Sequence, residues 1–131
     1  MPPPARTPLV YVVDDDSDVL GSLRFLLETD GFHVRTFRSA EALLNAMTMG
    51  GADCFVIDYK MPKMSGIDLA GILRQRAIDT PIILITGYPD AAIPAKAAAA
   101  GIRYVLHKPH VEDSLSSRIW ELIKTDRPPA A

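Results

Sequence analysis

A single cysteine, Cys54, leaves no partner for an intramolecular disulfide. Set within an apolar run, it reads as a small buried hydrophobe suited to a reducing compartment. No apolar stretch approaches the roughly 18 residues that a membrane-spanning helix needs. The start, Met1 to Pro8, holds four prolines but no hydrophobic signal core. A membrane role is therefore not expected, and the expected location is cytoplasmic. Charge of one sign is also lacking: 14 Lys and Arg stand against 16 Asp and Glu, a net −2. Without a basic field, direct nucleic-acid binding is not expected. No glycine-rich loop follows the first apolar run, which removes a nucleotide-binding module from consideration. Without cysteines or paired histidines at ligand spacing, His107 and His110 read as incidental.

What the chain does have is alternation. In 131 residues, 48% of them hydrophobic, it carries enough apolar material for one two-faced core. Short apolar runs alternate five times with segments of helical spacing, and no internal repeat is present. Runs of β-branched and aliphatic residues read as strands buried on both faces, as in a parallel sheet covered by helices. After the first strand, Val19, Leu20, Leu23, Leu26 and Leu27 recur at helical spacing, with Gly31 as a stop. His33 to Phe37 reads as a second strand. Ser39 can cap a helix carrying Leu43, Leu44 and Met47, ended by Gly50 and Gly51. Leu69, Ile72 and Leu73 line a third helix, and Thr80 and Pro81 open the fourth strand. Asp90 looks like the next helix cap, but Pro94 cannot donate back to its carbonyl. The regular helix is expected from near Pro94 through Ala100, with Gly101 as its stop. Val111, Leu115, Ile119 and Leu122 form the stripe of a last helix, and Trp120 lies off that stripe. Proline-rich segments, 1–7 and 126–131, bracket a domain over 8–125 as flexible tails.

Polar residues fall where the apolar runs end. Asp14, Asp15 and Asp16 follow Val10 to Val13, Asp58 follows Cys54 to Ile57, Thr86 follows Ile82 to Ile85, and Lys108 follows Tyr104 to His107. In a parallel sheet these all emerge at the carboxyl edge, where functional crevices open. Asp16 is assigned to cap the first helix. Asp14, Asp15 and Asp58 would repel one another unless a cation neutralised them, and such an oxygen cluster suits Mg²⁺ or Mn²⁺. Asp58, alone past its strand and before a loop with Pro and Gly, is expected to be exposed rather than bridged. A carboxylate so placed can attack a phosphoryl group and form an aspartyl-phosphate. Thr86 offers a hydroxyl and Lys108 an ammonium for the oxygens that such a transfer must stabilise.

Together, Val13 to Asp15, Asp58 to Gly66, Ile85 to Gly87, and Lys108 with Pro109 resemble a response-regulator receiver domain of bacterial two-component signalling. The resemblance covers residues 8 to 125. It implies a flavodoxin-like, doubly wound α/β fold: five parallel strands in the order 2-1-3-4-5, with five helices. It implies Asp58 as phosphoacceptor, charged by a histidine kinase or phosphotransfer protein in a phosphorelay. Further implied are a metal site of Asp14, Asp15, Asp58 and the Lys60 carbonyl, phosphoryl contacts from Thr86 and Lys108, and a cis bond before Pro109. Lys60 and Tyr88 flank the site at positions that tune phosphate loss in such domains. The chain departs from the pattern at Val105, where many relatives carry an aromatic switch residue. Tyr104 lies one residue earlier, hence on the opposite face of the strand. A homodimer through the last two helices is the expected self-association. The competing reading is a haloacid-dehalogenase-type phosphatase using Asp14 with Asp16, against which the chain offers no cap domain and no late acidic pair. A signalling module, rather than an enzyme with its own substrate, is the expected class.

Overall fold

Each apolar run forms a strand and each helically spaced segment forms a helix. The computed structural model describes residues 7–46, 51–88, 90–109 and 111–126. The order is β1 (Leu9–Val13), α1 (Ser17–Thr29), β2 (His33–Phe37), α2 (Ala40–Ala46), β3 (Cys54–Asp58), α3 (Gly66–Gln75), β4 (Ile82–Thr86), α4 (Ile93–Ala99), β5 (Tyr104–His107) and α5 (Leu115–Asp126). All strand pairs are parallel, and the sheet order is β2-β1-β3-β4-β5, as expected. Chain order reverses between β1 and β3, so a crevice opens above the carboxyl ends of these two strands.

The sheet's two faces divide the core by the period of two along each strand. Val10, Val12, Cys54, Val56, Ile83 and Ile85 pack on one side against α1 and α5, through residues such as Leu23, Leu27, Leu115 and Ile119. Tyr11, Val13, Phe55, Ile57, Ile82 and Leu84 pack on the other against Leu43, Leu69, Leu73 and Ile93. Every residue of β3 and β4 is buried. This explains why these strands read as continuous apolar runs rather than alternating ones.

Helix ends follow the local chemistry. The Asp16 side chain accepts from the amides of Asp18 and Val19 and caps α1, whose far end turns through Gly31 at φ 99°. The Ser39 hydroxyl accepts from the Ala42 amide at 3.0 Å. Ser65 and Asp68 form a reciprocal capping box at the start of α3. At the far end of α3, Arg74 donates to the carbonyls of Ile78, Thr80 and Gly101, tying α3 to the turns before β4 and β5. Helix α4 is short: Asp90 accepts from Ala92 and Ile93, and Pro94 sits in the first turn, where no backbone donor is needed.

Two expectations are refined. Val111 is buried as foreseen but belongs to a separate 3-10 turn, Val111–Asp113, and α5 begins only at Leu115. Helix α5 continues through Asp126. Trp120 is 37% exposed and packs on Phe32 with ring centroids 4.6 Å apart. The Met47 and Gly50 positions, His110 and most of the expected tails lie outside the described residues.

Helix α3 is seated on the site-bearing end of β3 at its first residue. The Gly66 amide donates to the Tyr59 carbonyl at 2.8 Å. A Cβ there would come within 2.5 Å of the Asp58 carbonyl oxygen and 2.7 Å of a Leu84 methyl. At Gly71, in the same helix, a Cβ would have nothing within 4 Å. Urea unfolding should therefore separate the two: Gly66→Ala loses about 2 kcal/mol or more through overpacking. Gly71→Ala gains about 0.5–1 kcal/mol from the lower chain entropy of alanine. Equal effects would contradict this seating.

Candidate functional site

The strand ends deliver their polar residues to one crevice of about 510 Å³, lined by Asp14, Asp15, Asp58, Lys60, Tyr88 and Lys108 among others. Asp14 is fixed first. Its amide donates to the Phe37 carbonyl at 3.1 Å. Its Oδ1 accepts from the Asp16 amide at 2.9 Å. Its Oδ2 is buried and, among the described residues, has no hydrogen-bond partner. Asp15 is exposed. Oxygens of Asp14, Asp15 and Asp58 lie within 4.8 Å of one another.

Lys108 enters from β5. Its amide donates to the Thr86 carbonyl at 2.9 Å, and the peptide bond to Pro109 is cis, as expected. Its Nζ lies 3.1 Å from Asp58 Oδ1 and 3.7 Å from Asp14 Oδ2. The expectation for Asp58 is thereby corrected: the residue is only 6% exposed, and its carboxylate is bridged by Lys108. A buried anion next to a reachable ammonium pairs with it rather than standing free. The same contact explains why Lys108 is not a solvated surface charge.

Electrostatics follow from this crowding. Burial pushes the Asp14 carboxyl up to about 6, against the lowering by the Asp16 amide. Nearby Asp58 adds to the rise and Lys108 opposes it. Burial also holds Asp58 above the usual carboxylate value, with the Lys108 hydrogen bond offsetting part of the rise. Burial pulls Lys108 down, but its hydrogen bond and charge contacts with Asp58 and Asp14 outweigh that and raise it.

Thr86 is 1% exposed and does not line the crevice. Its hydroxyl instead accepts from the Tyr88 amide at 2.9 Å. The Lys60 ammonium donates to the Tyr88 hydroxyl. Sequence reasoning placed Lys60 and Tyr88 beside the site but missed that they meet; each stands two residues past a strand-end site residue, the one signal available. Val105 packs with the core under α3 and α4, whereas Tyr104 lies on the other face. There the Tyr104 hydroxyl donates to Glu121 at 3.0 Å.

A doubly wound 2-1-3-4-5 sheet with an acid and lysine cluster at its switch point defines a flavodoxin-like module with a strand-end carboxylate site. The family model for the response regulator receiver domain matches residues 10–120, and the chain belongs to that family. It is 34% identical over 119 residues to the response regulator protein TodT of Pseudomonas putida, covering 91% of this chain and 52% of that protein. It is 35% identical over 121 residues to the transcriptional regulatory protein FixJ of Bradyrhizobium diazoefficiens, covering 92% and 59%. The chain thus spans between half and three fifths of the length of these relatives. The receiver domain of the Francisella response regulator 1452 superposes with a TM-score of 0.86 at 28% identity, covering 92% of this chain and 100% of that one. The protein is a receiver domain of two-component signalling. Neither the family match nor these relatives support the haloacid-dehalogenase-type phosphatase. Among the described residues, no helix is long and apolar enough to cross a membrane.

The Asp14 carboxyl gives a pH signature in the chelated, metal-free protein. Its folded pKa of about 6 exceeds the ordinary 3.8, so the native state holds the proton more tightly. Its contribution to stability is full below about 3.8 and is lost as pH rises through about 6. Unfolding free energies of wild type minus Asp14→Asn should therefore fall by on the order of 3 kcal/mol across that window and stay flat above it. A difference that rises with pH would contradict the burial argument.

Proposed function

We propose that Asp58 is the phosphoacceptor of a phosphorelay, charged by a histidine kinase or phosphotransfer protein, with Asp14, Asp15, Asp58 and the Lys60 carbonyl holding Mg²⁺ or Mn²⁺. The observation that carries the reading is the convergence of three carboxylates within 4.8 Å, with Lys108 Nζ 3.1 Å from Asp58 Oδ1. The buried Oδ2 of Asp14 supports the metal: it has no hydrogen bond among the described residues and only the Lys108 ammonium at 3.7 Å, and beside two further acids it fits a hard cation. When bound, the ion supplies positive charge that offsets the acids and the phosphoryl oxygens.

This chain's residues divide the remaining work. An Asp58 carboxylate oxygen attacks phosphorus, the phosphorus–nitrogen bond to the donor imidazole breaks, and the electron pair leaves on that nitrogen. Lys108, already beside Asp58, follows the developing charge on the phosphoryl oxygens. Thr86 contributes its hydroxyl once it turns from Tyr88 to the phosphoryl group. Hydrolysis later breaks the bond between phosphorus and the Asp58 oxygen, with water as the nucleophile, and returns the carboxylate. Beyond this self-directed transfer the module acts by changing its contacts, within the cytoplasm. The homodimer through α4 and α5 is supported by the exposed face of Trp120 and the exposed Ala95, Ala98 and Ala99. Sedimentation that stays monomeric at high concentration, with and without phosphodonor, would remove the dimer.

Two variants test the site. With a small phosphodonor and Mg²⁺, wild type should take up one phosphoryl group and Asp58→Asn none, while retaining its circular dichroism. Label persisting in Asp58→Asn would overturn the assignment. A hundredfold excess of Mg²⁺ over its Kd should stabilise wild type by about 2–3 kcal/mol. That gain should vanish in Asp15→Ala; an unchanged response would place the ion elsewhere.

A further inference from the structure

Two loops meet over the crevice, and a single side chain joins them. Past Asp58, the last residue of β3, the first loop carries Tyr59 and Lys60; past Thr86, the last residue of β4, the second carries Gly87 and Tyr88. Tyr88 touches the first loop twice. Its hydroxyl accepts from the Lys60 ammonium, which also lies 4.9 Å from the centre of its ring. Its ring edge packs on Tyr59 with centroids 6.4 Å apart, and Tyr59 is itself anchored by donating its amide to the Ile85 carbonyl at 2.7 Å. On its own loop, the Tyr88 amide occupies the Thr86 hydroxyl. The ring therefore holds Tyr88 in place, and the Tyr88 amide holds Thr86 out of the crevice.

We propose that Tyr88 and Lys60 form a latch that stabilises the unphosphorylated arrangement, and that Tyr88 carries the state of Asp58 to the surface in place of an aromatic on β5. The inference rests on Asp58 as phosphoacceptor. Its logic is one of competing partners. The Thr86 hydroxyl does not line the crevice while it accepts from the Tyr88 amide, so turning to a phosphoryl oxygen moves it away from that amide. A phosphoryl group in the crevice also offers Lys60 an anion in exchange for a neutral phenol, a stronger acceptor for an ammonium. Both changes release Tyr88. At position 105 only valine is available, packed in the core under α3 and α4, and Tyr104 is committed to Glu121 on the other face. Tyr88, 44% exposed, is the aromatic whose surroundings change directly with Thr86.

Beryllofluoride with Mg²⁺ serves as the probe, read two ways on the full chain. The bound fluorine resonance, present in wild type and absent in Asp58→Asn, reports occupancy of the acceptor site. Amide exchange at Tyr88 reports the latch. Exchange at Tyr88 should speed up severalfold on binding, although loops around an occupied site ordinarily become more protected. Tyr88→Phe keeps the ring and the amide but loses the phenol oxygen, so its resting state is less favoured. It should bind beryllofluoride about fivefold more tightly, the equivalent of one lost hydrogen bond. A bound fluorine signal with unchanged or slowed Tyr88 exchange, or with equal affinity in Tyr88→Phe, overturns the latch and leaves the acceptor site standing. Absence of any bound fluorine signal overturns both.

Discussion

The structure turns on one imbalance of charge. Asp14 and Asp58 are almost wholly removed from water and Asp15 stands beside them, yet among the described residues one ammonium, that of Lys108, reaches the buried pair. Removing a carboxylate from water costs several kcal/mol in a real protein unless partners compensate. Lys108 compensates in part. The remainder appears as the raised affinity of Asp14 and Asp58 for protons and as an Asp14 oxygen that makes no hydrogen bond among the described residues. A site left short of positive charge suits the divalent cation proposed for it, whose charge would offset the acids and an incoming phosphoryl group.

The fold exists in a form that enforces this crowding. Parallel strands direct all their carboxyl ends to one edge, and the reversal between β1 and β3 opens that edge where Asp14 and Asp58 emerge. Gly66 lets α3 approach until it touches the Asp58 carbonyl, and the Lys108 amide bonded to the Thr86 carbonyl brings the ammonium in from β5. Stability in the surrounding core, with β3 and β4 buried along their whole length, offsets the unfavourable burial of acids at its rim.

Much of this was legible in the chain. The strands were readable because their apolar runs are short and bounded, and the caps because Asp16 and Ser39 have one physical use at those positions. Pro94 shortened α4 for a reason visible in the covalent structure. What could not be read depended on contacts between segments. The exposure expected for Asp58 failed because Lys108 lies 50 residues away in sequence and its reach is a tertiary fact. The meeting of Lys60 with Tyr88 and the inward turn of Thr86 likewise arise from two loops converging. The start of α5 was misplaced by a few residues because a 3-10 turn and an α-helix bury the same apolar stripe.

The absence of an aromatic at position 105 gives these local contacts their weight. In this sheet the face beneath α3 and α4 carries only a valine there, and the route proposed for signalling runs through the loops above the crevice. The claim on which all of this stands is that the acyl phosphate forms on the carboxylate beside Lys108. Borohydride reduction of the phosphorylated protein converts an acyl-phosphate aspartate to homoserine, which peptide mass spectrometry locates. Homoserine at position 58 alone is the expected result; homoserine at position 14 would contradict the account.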